Sequence, residues 1–189
     1  MPSLDYKKED IESVINLSMK GDIKALEELI KRIQKNVFNM FSYLVHKRQD
    51  VADLTQEVLL KVAKNVSTLQ KSCCFNSWLN HIVMNTFYDF IKKNKKNDKI
   101  DYDEDKLLKL KDKIGCEPGE KCLFSEMDKI IKIALLSLPK DMRVVIVLRE
   151  YEGLSYDDIA SLTKTTIGTV KSRISRARSR LQKQLKEFL

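Results

Sequence analysis

The feature that most constrains this chain is an apolar repeat late in the sequence: Val170, Ile174, Ala177, Leu181, Leu185 and Phe188 recur at intervals of three and four. On an α-helix that spacing gathers all six onto one stripe, which must be buried against neighbouring helices. A helix of this kind cannot stand alone. The segments before it therefore have to supply the surface that covers the stripe.

They do so with the same periodicity. Ile11, Val14, Ile15 and Leu17 form one short apolar face, Gly21-Asp22 breaks it, and Ile23, Leu26, Leu29, Ile30 and Ile33 resume it. A third helix is expected from near Asp50 with Val51, Leu54, Val58, Leu59 and Val62 inward. A fourth, from about Asn76, carries Trp78, Leu79, Ile82, Val83, Thr86, Phe87 and Phe90, and helical spacing assigns Trp78, Phe87 and Phe90 to the core. Further on, Met127, Ile130, Ile131, Ala134, Leu135 and Leu138 make a face ended by Pro139, and Val144, Val147, Leu148 and Tyr151 make another ended by Gly153. With 43% apolar and 33% charged residues but only 5 Gly and 3 Pro, the composition favours packed helices over disorder or a β-sandwich. The expected fold is all-α.

Between the two sets of helices the character of the chain changes. Lys92-Lys93-Asn94-Lys95-Lys96-Asn97-Asp98-Lys99 gives way to an acidic stretch that contains Gly115, Pro118 and Gly119. Breakers, weak periodicity and a switch of charge mark a linker. The division expected is an N-terminal helical domain at 1–97, an acidic linker at 98–125 with a short helix near 106–113, and a C-terminal helical domain at 126–189.

The C-terminal domain has the layout of a helix-turn-helix. Ser155, with Asp158 three residues on, is an N-cap signal for a short helix at about 156–162. A polar turn at 163–166 follows, and Thr166 caps the last helix. Around the apolar stripe of that helix stand eight basic residues (Lys164, Lys171, Arg173, Arg176, Arg178, Arg180, Lys183 and Lys186) against one acid, Glu187. Like charges at helical spacing repel, so a one-signed face calls for an external anion. Net charge of +8 and a pI near 9.2 agree with a polyanionic partner. In such a layout the second helix enters the DNA major groove N-terminus first, and Gly168 and Thr169 let its backbone approach phosphate.

Other classes are excluded on composition. No window reaches the roughly 18–20 apolar residues of a membrane span, and the charged first ten residues have no hydrophobic run behind them, so the chain is expected in the cytoplasm with no membrane role. The four cysteines (Cys73, Cys74, Cys116 and Cys122) are expected to be reduced thiols. His46 and His81 stand alone, so neither a metal nor a cofactor is expected. No Ser/His/Asp layout, carboxylate pair or Gly-rich phosphate loop appears, and the chain is not expected to be an enzyme.

Together the residues resemble those of the extracytoplasmic-function (ECF) sigma factors, the small two-domain class of bacterial RNA polymerase sigma subunits in the sigma-70 family. Leu138-Pro139, Arg143, Leu148-Arg149, Glu152-Gly153-Leu154-Ser155, Asp158-Ile159-Ala160, Gly168-Thr169-Val170-Lys171-Ser172-Arg173, Arg176-Ala177-Arg178 and Leu181 look like that family's C-terminal domain. Asp53-Leu54-Thr55-Gln56-Glu57 resembles its polymerase-clamp-binding helix. Phe75, Trp78-Leu79, Ile82, Asn85, Asp89 and Lys92-Lys93 resemble its promoter-melting segment. Three positions depart from the pattern: Lys164 stands where the turn usually has Gly, Thr163 where a core Leu is usual, and Ala52 where an acid usually precedes Asp53.

The resemblance implies a subunit that binds core RNA polymerase through its beta-prime clamp and beta flap and directs promoter-specific initiation. It implies that Lys171, Ser172, Ser175 and Arg176 face base edges of the minus-thirty-five element, with Arg149, Thr169, Arg173 and Arg178 on phosphates. For the minus-ten element it implies a loop near 69–75, including Phe75, that receives an unstacked base, with Asn85, Lys92 and Lys93 along the strand. Asp53, Gln56 and Glu57 would meet polymerase, and an anti-sigma factor is a further partner of this class. The competing readings are a stand-alone helix-turn-helix regulator that binds a palindromic operator as a dimer, and a nucleic-acid enzyme.

Overall fold

The computed structural model describes residues 6–94 and 126–186, which form helices and connecting turns with no strand among them. They divide into two compact units, residues 6–41 with 47–94, and residues 126–186 with 42–46. The expected linker, its short helix near 106–113, Cys116, Cys122 and Phe188 lie outside the described residues.

In the first unit α1 (Ile11–Met19) begins where the Asp10 carboxylate accepts the Ser13 N–H, and the chain turns after it at Gly21, whose φ of +88° suits glycine. Asp22 then accepts the Ala25 N–H at 3.0 Å and the Tyr6 hydroxyl at 2.8 Å, opening α2 (Ile23–Leu44). Those bonds, the Ala25 N–H foremost, hold the Asp22 carboxyl below its usual range. α3 (Arg48–Asn65) starts two residues ahead of the expected Asp50, and after 3-10 turns at Val66–Thr68 and Ser72–Cys74 the chain enters α4 (Phe75–Asn94). Val14, Leu29, Val37, Val51, Leu54, Val58, Val62, Leu79, Val83, Met84 and Phe87 are buried. Phe87 is fully enclosed as expected, whereas Trp78 and Phe90 are half-buried.

The second unit contains α5 (Glu126–Ser137), α6 (Lys140–Glu150), α7 (Tyr156–Thr163) and α8 (Ile167–Leu185). α8 packs on the other three, and Val170, Ile174 and Ala177 of its stripe are buried while Leu181 and Leu185 are half-buried. The inward face of α5 differs from the expected one. Ile133, Ala134 and Leu136 are buried, with Leu138 just beyond, whereas Met127 is 53% and Ile131 37% exposed. The burial follows the packing of α5 on α8, where the Ser137 hydroxyl and the Gln184 side chain meet at 2.9–3.1 Å. On α6 the residues from Arg143 through Leu148 are all buried because helices pack around it, and Tyr151, expected inside, is 39% exposed.

Candidate nucleic-acid interface

The helix-turn-helix is built by three local devices. Ser155 and Asp158 form a reciprocal capping box: the Ser155 hydroxyl accepts the Asp158 N–H at 3.1 Å and the Asp158 carboxylate accepts the Ser155 N–H at 3.3 Å. At the other end of α7, Lys164 adopts φ 53°, ψ 45°, the only non-glycine positive φ among the described residues. The Lys164 N–H then reaches the Ser161 carbonyl at 3.3 Å and the Thr165 N–H the Ala160 carbonyl at 3.0 Å, a Schellman closure. Lys164 thus holds the left-handed turn that glycine would enter without strain. Thr163 satisfies its hydroxyl on the Ile159 carbonyl at 2.7 Å, so a polar residue is tolerated at a half-buried position. Thr166 accepts the Thr169 N–H at 3.2 Å and starts α8.

With the buried stripe turned inward, α8 presents Lys171, Ser172, Ser175 and Arg176 to solvent, at spacings that put all four on one side of the helix. Arg149 and Lys171 come together at Tyr156: the Arg149 guanidinium lies 4.8 Å and the Lys171 ammonium 5.8 Å from the ring centroid. Arg149 also donates to the Leu154 carbonyl at 2.6 Å, which fixes its fork. Thr169 is half-buried at the start of α8.

The remaining expected phosphate ligands are held by carboxylates. Arg173 pairs with Asp141 at 2.8 Å, and Arg178 with Glu150 at 2.6 Å. Donating to the Glu150 carboxylate pushes the Arg178 guanidinium further up its basic range. Tyr156, Asp141 and Glu150 go beyond the residues expected from sequence. Glu150 carried a signal, because an acid on the last residue of a helix opposes the dipole unless a cation compensates it.

In the first unit Asp53, Gln56 and Glu57 are all exposed on α3, opposite its buried face of Val51, Leu54, Val58 and Val62. The strip continues into Leu60, 60% exposed, which the alternation of the sequence did not single out. Glu57 pairs with Lys61 at 2.7 Å, and the same ammonium donates to the Thr86 hydroxyl of α4 at 2.9 Å. Asn85, Lys92 and Lys93 are exposed on α4.

Phe75 is a correction. Expected in the base-receiving loop, it is the first residue of α4 and only 2% exposed, its ring 5.8 Å from that of Trp78. An aromatic at the head of a helix is drawn into the core when it falls on the same stripe as Leu79, Val83 and Phe87. The exposed part of the loop is Gln70, Lys71, Cys73 and Cys74. No group of three or more His, Cys, Asp or Glu suited to a metal ion occurs among the described residues, and no described helix is long and apolar enough to cross a membrane.

Comparison with known proteins covers both units. The family model described as Sigma-70 region 2 matches residues 29–97, and that of Sigma-70 region 4 matches residues 130–181. The chain is 31% identical over 175 residues to the ECF RNA polymerase sigma-E factor of Escherichia coli, covering 90% of this chain and 91% of the relative. With the ECF RNA polymerase sigma-E factor of Haemophilus influenzae it shares 29% identity over 187 residues, 94% of this chain and 96% of the relative. Among solved structures, the sigma factor RpoE in complex with the anti-sigma factor NepR from Bartonella quintana superposes with a TM-score of 0.64 at 27% identity, covering 87% of this chain and 98% of that one. The chain belongs to the extracytoplasmic-function RNA polymerase sigma factors of the sigma-70 family.

Proposed function

We propose that this sigma factor directs promoter-specific initiation by docking on core RNA polymerase in the cytoplasm and gripping promoter DNA at two places. The observation that carries the reading is the exposed row of Lys171, Ser172, Ser175 and Arg176 on one side of α8, on a helix-turn-helix whose opposite face buries Val170, Ile174 and Ala177. Lysine and arginine there donate to guanine O6 and N7 of the minus-thirty-five element, and the serines adapt to either pair. Arg149, Thr169, Arg173 and Arg178 flank the row as phosphate ligands, the last two exchanging their carboxylate partners for DNA.

The first unit supplies the other contacts. Asp53, Gln56 and Glu57, extended by Leu60, form the patch for the beta-prime clamp, while Asn85, Lys92 and Lys93 follow the minus-ten strand as it opens. The turn before Phe75, not Phe75 itself, receives the unstacked base. The second unit also meets the beta flap. An anti-sigma factor is a further partner, in keeping with the relative solved in such a complex. Catalysis belongs to the polymerase and not to this chain.

Transcription in vitro with purified core polymerase on a pool of genomic promoters tests the reading. Promoter-specific transcripts that depend on this chain are expected. A chain that yields none, yet alone protects a palindrome as a dimer, would be a stand-alone regulator.

A further inference from the structure

Cys73 and Cys74 are adjacent and exposed, and their sulfurs lie 3.9 Å apart on the turn that precedes α4. That turn is firmly set. The Cys74 N–H donates to the Lys71 carbonyl at 3.1 Å, the Ser72 hydroxyl donates to Glu12 of α1 at 3.0 Å, and Val66 and Phe75, 3% and 2% exposed, anchor the chain on either side. The two thiols therefore stand outward together on a fixed platform.

A disulfide between them is poorly suited to this geometry, since neighbouring Cα atoms are about 3.8 Å apart and disulfides usually need about 4.4–6.8 Å. A bridging soft atom fits better: with bonds to sulfur of about 2.3 Å it takes up thiolates spaced by roughly 3–4 Å. A divalent ion would want three or four protein ligands, and no such cluster exists among the described residues. A trivalent arsenical has the complementary demand, because its third position is already filled by its own carbon or hydroxyl group.

We propose that Cys73 and Cys74 form a dithiol clamp for trivalent arsenicals, and that its occupation obstructs base capture by this loop. With an organoarsenous acid, two As–S bonds form as two As–OH bonds break. The two thiol protons leave with the two hydroxides as water, and no atom changes oxidation state. The second half of the proposal rests on the promoter-opening role proposed above for the turn.

Phenylarsine oxide is the probe, applied to the full chain and removed by desalting before core polymerase is added. Expected are the loss of two titratable thiols per bound arsenic, persistence of that loss in a Cys116→Ser, Cys122→Ser variant, and its abolition by Cys73→Ser or Cys74→Ser. Promoter-specific transcription should fall about tenfold against the untreated chain, the scale of one lost base contact, and return with a dithiol but not with an equal dose of monothiol. In Cys73→Ser the ratio of treated to untreated activity should be near one. Two-thiol loss that survives Cys73→Ser overturns the clamp. A loaded clamp with undiminished transcription overturns the obstruction. An untreated chain that supports no transcription speaks instead against the sigma reading, and the thiol count still decides the clamp.

Discussion

Arg178 directs both Nε and Nη2 to a single Glu150 oxygen, at 3.0 and 2.6 Å, so a guanidinium of α8 is already occupied by its own protein. Exposed pairs of this kind are weak against solvent but compete directly with phosphate. Replacing Glu150 with Gln should raise affinity for any duplex by about two- to fivefold at low salt and steepen its salt dependence. Fluorescence anisotropy across a salt series measures both, and unchanged binding would remove Arg178 from the interface.

Arg176 and Arg173 should part company when each is truncated. Arg176→Ala is expected to cost about 1–3 kcal/mol in discrimination between promoter and scrambled duplex. Arg173→Ala, by contrast, should weaken binding to both sequences alike. Competition binding with matched duplexes checks the pair, and equal behaviour would refute the division into base and phosphate ligands.

Lys164 occupies a left-handed conformation that costs a side-chain-bearing residue on the order of 1 kcal/mol. Lys164→Gly should therefore stabilise the second unit by about 0.5–1 kcal/mol, part of the relief being lost to the looser unfolded chain. Urea unfolding gives the answer. A lower midpoint would mean that the turn is held by contacts of the lysine itself.

Phe75→Ala should destabilise the first unit by about 3–5 kcal/mol, the usual result of emptying a buried aromatic site. Were the ring a base-stacking platform, the thermal midpoint would hardly move and only promoter opening would suffer. Thermal unfolding of the purified variant separates the two.

Asp53→Arg alters an exposed side chain whose one described bond is accepted from Gln49 at 3.2 Å, so stability should stay within about 0.5 kcal/mol. Affinity for core polymerase should drop about tenfold or more if the strip is the docking patch. Competition against the unaltered chain for limiting core enzyme is the readout.

Much of this was legible in the sequence because period and caps report local physics. The stripe of α8, the Ser155–Asp158 box and the Thr166 cap all follow from residues within a few positions of one another. What escaped depends on distant partners. Met127 and Ile131 are as apolar as Ile133 and Leu136, so periodicity alone does not select the inward face of α5, which its packing on α8 sets. Arg173 and Arg178 looked like plain cations, since Asp141 and Glu150 lie 32 and 28 residues away. Phe75 joins the buried face of α4 because the helix begins one residue before the expected Asn76.

Lys61 gives the first unit a mechanical property. A single ammonium braces Glu57 on the outer surface of α3 and Thr86 on α4, one position from Asn85. If docking recruits Glu57 as proposed, Lys61 would lose one of its two tethers and keep the other, so engagement of the polymerase and the posture of α4 would share a lever. Glu57→Gln should shift the Asn85 side-chain amide resonances of the free chain, and a spectrum unmoved at that position would uncouple the two.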